Sequence, residues 1–152
     1  MKNINAIVIL SEFNLDIVKN LYLGVKKSFD QSVHVIEHKK IHVPGAFELT
    51  FMAKKIQQDD YKDKKLDFII TLGCIIKGES AHFEYISNAC TSSIAHLNLK
   101  SHIPIMFGVI TAYNKDQAFK RSEINFSCKE NYNIGYEVAN AAIFMHNSIE
   151  NI

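Results

Sequence analysis

Apolar residues along the chain follow two alternating rhythms. Short β-branched runs at residues 6–10, 33–37, 68–72 and 105–110 are flanked by polar or turn-prone residues, the pattern of strands buried on both faces. Between and after them the spacing changes to the helical period. Leu15, Val18, Val25 and Phe29 form one stripe, and Leu49, Met52, Ala53 and Ile56 a second with Lys54, Lys55 and Gln57 facing away. Phe83, Ile86, Ala89, Cys90 and Leu97 mark a third helix, and Val138, Ala141, Ala142 and Met145 a C-terminal one. Strands alternating with helices predict an α/β fold: a three-layer α/β/α sandwich around a four-stranded parallel sheet, flavodoxin-like, with residues 1–152 as one domain. So small a sheet has open edges that favour self-association.

Composition narrows the chemistry. With 17 basic and 16 acidic side chains the formal charge is +1, so no global field draws the chain to nucleic acid or to an anionic membrane. Any anion must be recognised locally. Cys74, Cys90 and Cys128 are odd in number and widely spaced, which suggests neither a disulfide framework nor a zinc motif. His34, His38 and His42 have an even spacing that suits one strand face, yet they lack acidic or thiolate company, and no metal is expected. The apolar stretch at residues 6–10 is too short for a signal segment or a membrane span, so a soluble cytoplasmic protein is expected. The charged run at residues 59–65 reads as a helix end and solvated loop. G-x-S-x-G, the phosphate loop G-x-x-x-x-G-K-[ST] and the dinucleotide fingerprint G-x-G-x-x-G are absent, and no cofactor is implied.

In open parallel sheets ligands bind beyond the carboxyl ends of the strands, so the segments there hold the candidates. Phe13, after the first strand, suits either a stacking platform or a hydrophobic staple on the next helix. Pro44 and Gly45 break the second strand, and Glu48, at a helix start, suits either a dipole partner or an acceptor for a polyol. The third strand leads into Gly73, Cys74, Ile75, Ile76, Lys77, Gly78, Glu79, Ser80, Ala81 and His82. Gly78 permits an unusual turn there, Ser80 can cap the helix, and free amides at the helix start suit an anion. His82 is either structural or a proton shuttle. Beyond the fourth strand, Phe107 reads as a second loop aromatic, and Asn114 opens a short helix containing Arg121, which is either a surface charge or a phosphate clamp.

Taken in order and spacing, these segments resemble one family, the 6,7-dimethyl-8-ribityllumazine synthases. The resemblance spans nearly the whole chain and rests on Phe13 and Asn14, on residues 43–49, on residues 73–85, and on residues 104–111 followed by Gln117, Ala118 and Arg121. It implies condensation of 5-amino-6-(D-ribitylamino)uracil with 3,4-dihydroxy-2-butanone 4-phosphate in riboflavin biosynthesis, without cofactor or metal. It implies further that Phe13 stacks on the pyrimidine, that Ala46, Phe47 and Glu48 hold the ribityl chain, and that Cys74, Ile75 and Ile76 offer backbone contacts. Phe107 would close the pocket. Gly78, Glu79, Ser80 and Arg121 would hold the phosphate, and His82 would transfer protons. Phe107 and Arg121 would come from a neighbouring subunit of a homopentamer, which in such proteins also builds decamers or sixty-subunit shells. Riboflavin synthase is among the partners implied.

The chain departs from the family pattern at three places. Ile134 stands where a lysine is usual, Glu12 replaces a common arginine, and Ser122 and Glu123 replace a small pair after Arg121. Loss of a cation and gain of carboxylates imply weaker affinity for the phosphate substrate. Two rival readings use the same residues: a module that retains lumazine or flavin without turnover, and a flavodoxin-like nucleotide binder. His82, Arg121, Phe13 and Glu48 together favour the enzyme, because storage alone does not need the histidine.

Overall fold

The computed structural model describes residues 2–58, 65–126 and 132–152; Cys128 and most of the charged run at 59–65 lie outside them. Four parallel strands, β1 (Asn3–Ser11), β2 (Val35–Val43), β3 (Phe68–Ile76) and β4 (Ile105–Ala112), lie in the order β2-β1-β3-β4. The helices are α1 (Leu15–Gln31), α2 (Leu49–Gln58), α3 (His82–Leu99), α4 (Lys115–Lys120) and α5 (Ile134–Ile149), with a 3-10 turn at Ala46–Glu48 before α2.

Alternation along the central strands sorts the core into two layers. Ile4, Ala6, Val8 and Leu10 of β1, with Phe68, Ile70 and Leu72 of β3, pack on α1, α4 and α5. Ile7 and Ile9, with Ile69, Ile105 and Val109, pack on α2 and α3. This is the expected three-layer sandwich. No helix among the described residues is long and apolar enough to cross a membrane.

All four strands run longer than the sequence reading has them, β1 at Asn3–Ser11 against 6–10 and β4 at Ile105–Ala112 against 105–110. The second strand was expected at 33–37 and lies at Val35–Val43. As an edge strand it pairs only with β1 and carries polar residues on its outer positions, so it lacks the continuous apolar run that marks β1 and β3. The third strand continues past Leu72 because β4 stays in register with it from Ile69↔Ile105 to Ile76↔Ala112. Phe107 lies within β4, opposite Thr71, and not in a loop. In α5 the inward face is Gly135, Ala139, Ala142 and His146, while Ala141 and Met145 face outward. The close approach of α1 moves that face by about one position. A methyl group on Gly135 would overlap the Leu21 carbonyl, and one on Gly24 the Asn133 side chain.

Candidate functional site

The carboxyl edge of the sheet opens into a cleft of about 350 Å³. It is lined by Phe13, Gly45, Ala46, Phe47, Cys74, Ile75, Ile76, Gly78, Ser80, His82, Phe83 and Ile86. They come from the ends of β1 and β3, the turn after β2, the connection from β3 to α3 and the first turns of α3.

Phe13 is 71% exposed, which excludes the staple: its ring is held out into the cleft. Backbone bonds from Glu12 N to Val43 O (2.8 Å) and from Phe13 N to Pro44 O (3.1 Å) tie its loop to the end of β2. Asn14 follows in the left-handed conformation, φ 57° and ψ 44°, which asparagine tolerates better than most residues. Its amide donates to the Cys74 carbonyl at 2.9 Å, so the loop is pinned to β3 as well. This Asn14 contact was not anticipated from sequence. An asparagine directly before a helix is the signal that could have found it.

The opposite wall is the turn Ala46–Glu48. Phe47 is 57% exposed and faces the cleft. Glu48 does not line the cleft directly; its carboxylate lies over Gly45, 3.1 Å from where a Cβ would stand. Gly45 itself is extended at φ −146° and needs no glycine for its backbone. Cys74, Ile75 and Ile76 form the floor at the end of β3. Burial, with the charge of Asp16 adding to it, pushes the Cys74 thiol up to about 12, so it is an uncharged wall and not a nucleophile.

At the far end the chain turns into α3. Gly78 has no positive φ, and a Cβ there would meet nothing within 4 Å, so the unusual turn expected at Gly78 does not occur. Ser80 Oγ accepts a hydrogen bond from the His82 amide at 3.4 Å; the residue at the cap position is Ala81, without a side-chain bond. His82 is exposed at the cleft margin. Glu79 is exposed and does not line the cleft. Phe83 and Ile86, which the helical stripe marked as core, line it instead.

Phe107 and Arg121 do not reach the cleft of their own chain. Phe107 packs against the α2/α3 core, and Arg121 is an exposed residue closing α4. Asn114 does cap α4, accepting from the Gln117 amide at 2.9 Å. The departures are tied up elsewhere: Glu12 pairs with His42, Ile134 packs on the α1/α5 core, and Ser122 is buried in a bridge with Asn133. Among the described residues, no group of three or more His, Cys, Asp or Glu could hold a metal.

The cleft is mostly apolar, with the rings of Phe13 and Phe47 on facing walls and Gly78, Ser80 and His82 at its end. The fold and site thus define an α/β protein of the open parallel-sheet class with a ligand-sized cleft at the carboxyl edge of the sheet. Comparison with known proteins makes this specific. The 6,7-dimethyl-8-ribityllumazine synthase family model matches residues 3–150. The 6,7-dimethyl-8-ribityllumazine synthase of Limosilactobacillus reuteri (strain DSM 20016) is 40% identical over 119 residues, covering 76% of this chain and 72% of that one. The chain belongs to the 6,7-dimethyl-8-ribityllumazine synthase family. Its activity is that family's transferase reaction in riboflavin biosynthesis, which joins 5-amino-6-(D-ribitylamino)uracil and 3,4-dihydroxy-2-butanone 4-phosphate into 6,7-dimethyl-8-ribityllumazine.

Proposed function

We propose that the cleft at the carboxyl edge is where this condensation occurs, with the pyrimidine stacked on Phe13 and its ribityl chain along Ala46, Phe47 and Glu48. The Glu48 carboxylate accepts from the polyol hydroxyls, and the backbone of Cys74, Ile75 and Ile76 contacts the heterocycle. The ketone phosphate lies at the other end, against the amides of Gly78, Glu79 and Ser80. The observation that carries the reading is that Phe13, Phe47 and His82 share one cleft although 69 residues separate the first from the last.

The chemistry asks little of the protein. The substrate amine attacks the ketone and one water leaves as the imine forms; phosphate is then eliminated, leaving an enol that becomes a carbonyl, and the ribityl-bearing amine closes the ring on that carbonyl with loss of a second water. No enzyme nucleophile is needed, in keeping with the neutral Cys74. Holding two reactants together is worth effective molarities of roughly 10⁵–10⁸ M, whereas a general base contributes about 10²–10⁴ in rate. His82 serves as that proton carrier.

Among the described residues, no lysine or arginine lines the phosphate end of the cleft. We therefore assign Arg121, and Phe107 as the closing ring, to the neighbouring subunit, with a homopentamer or a multiple of it as the working unit in the cytoplasm. Riboflavin synthase, which uses the product, is the protein partner in this reading. The test is lumazine formation followed by absorbance and fluorescence, corrected for the uncatalysed condensation. Arg121→Ala is expected to raise KM for the ketone phosphate by about 10–100-fold, the worth of a charge-assisted hydrogen bond. Tight lumazine binding without acceleration in the native protein would overturn the catalytic assignment of the cleft.

A further inference from the structure

Two hydrogen bonds behind the cleft join its opposite walls. His82, Ile86 and Cys90 recur at intervals of four along α3, so they lie on one face that runs from the cleft into the core. Cys90 is 1% exposed and stands where that face meets the turn after β2. Its thiol donates to the Ala46 carbonyl at 3.3 Å, an oxygen that also accepts from the Leu49 amide. One turn further on, Ser93 Oγ and Thr50 Oγ1 are 2.8 Å apart and tie α3 to α2. The turn's own cap is Gly45, which brings no side chain to hold it. The side-chain bond to the turn comes from α3, the helix that begins at His82.

We propose that Cys90 is a positioning residue for the pyrimidine substrate: its bond to Ala46, backed by the Ser93–Thr50 pair, sets the distance between the polyol-binding turn and His82. The inference rests on the reading that the ribityl chain lies along Ala46–Glu48. Burial pushes the Cys90 thiol up to about 11, so it stays a protonated donor across the neutral range.

The experiment separates KM values for the two substrates in Cys90→Ala, Cys90→Ser and Ser93→Ala. Cys90→Ala is expected to raise KM for the ribitylaminouracil by about 3–10-fold, the worth of one neutral hydrogen bond, while KM for the ketone phosphate stays within about twofold. Cys90→Ser keeps a donor and should recover most of the loss, although both variants lower Tm. Ser93→Ala should shift the same KM in the same direction and carries the test if Cys90→Ala does not fold. Unchanged KM values in well-folded variants, or equal rises for both substrates, would overturn the proposal. Calorimetry on the native protein with the pyrimidine bearing and lacking its ribityl chain keeps the two readings apart. Equal affinities defeat the polyol assignment itself, whereas ribityl-dependent affinity that Cys90→Ala leaves intact defeats only the role of Cys90.

Discussion

At the scale of single residues, the structure decides between uses that spacing leaves open. Phe13 could have been a staple, but its exposed ring makes it a wall of the cleft. Phe13→Ala removes a stacking surface worth about 0.5–1.5 kcal/mol, and KM for the pyrimidine should rise by about 2–13-fold with Tm almost unchanged. A large fall in Tm would mean that the ring is packing after all. His82→Ala should slow turnover by about 10² without abolishing it, since orientation carries more of the rate than proton transfer; an undetectable rate from folded protein would refute this. Cys74 and Cys90, both buried with raised thiol pKa values, should resist iodoacetamide at pH 8 in the native state and react after unfolding, as mass spectrometry of their peptides can report.

Helix packing is decided at the scale of the element. α1 and α5 approach so closely that Gly24 and Gly135 face backbone and the Asn133 side chain. Asn133 clasps the junction: its amide donates to Asn20 O (3.1 Å) and Glu123 O (2.9 Å), and its Oδ1 accepts from the Tyr136 amide at 3.1 Å. Gly135→Ala gains about 1 kcal/mol of helix propensity, but its methyl has no room against Leu21, and overpacking of this kind costs about 1–3 kcal/mol or more. A net fall in Tm is expected, and a rise would show that the helices can separate freely. In the same region Ile134 fills core where the family pattern has a lysine. If its loss weakens phosphate affinity, Ile134→Lys lowers KM for the ketone phosphate; an unchanged KM removes that explanation.

On the scale of the whole molecule, an exposed cluster of ion pairs sits at the amino end of the sheet, opposite the cleft at its carboxyl end. Glu150, at the end of α5, pairs with Lys2 (2.7 Å) and Lys65 (3.3 Å), and these partners, Lys2 first, lower its pKa to about 2. A depressed carboxylate adds stability that is present above its unfolded pKa and lost as pH falls through the folded one. Glu150→Gln should therefore narrow the Tm gap to the native protein steadily between about pH 4.5 and 2, and a gap independent of pH would rule the pairing out. The pair is exposed, so the effect is small and screened by salt. The proposal that neighbouring subunits share each site makes a further prediction. Mixed assemblies of Arg121→Ala and His82→Ala subunits should turn over faster at low ketone phosphate than either variant alone, because one interface in the mixture then carries both native residues. No gain on mixing would place Arg121 and His82 in the same chain's site.

The sequence by itself determined the layer architecture, because β-branched runs and helical stripes follow directly from which faces must leave water. It also supplied the chemical inventory of the cleft, since Phe13, Ala46, Phe47, Cys74, Ile75, Ile76, Gly78, Ser80 and His82 all stand at the strand ends where a parallel sheet presents its ligands. Edges and junctions were less legible. The polar edge strand β2 and the turned face of α5 depend on partners distant in sequence, which no local period encodes. Nor does spacing say which aromatic ring is buried and which is held out, or that Asn14 and Cys90 brace the cleft through carbonyls of Cys74 and Ala46. Those choices belong to the tertiary structure, because a hydrogen bond or a close approach between segments is defined only once the chain has brought both of its ends together.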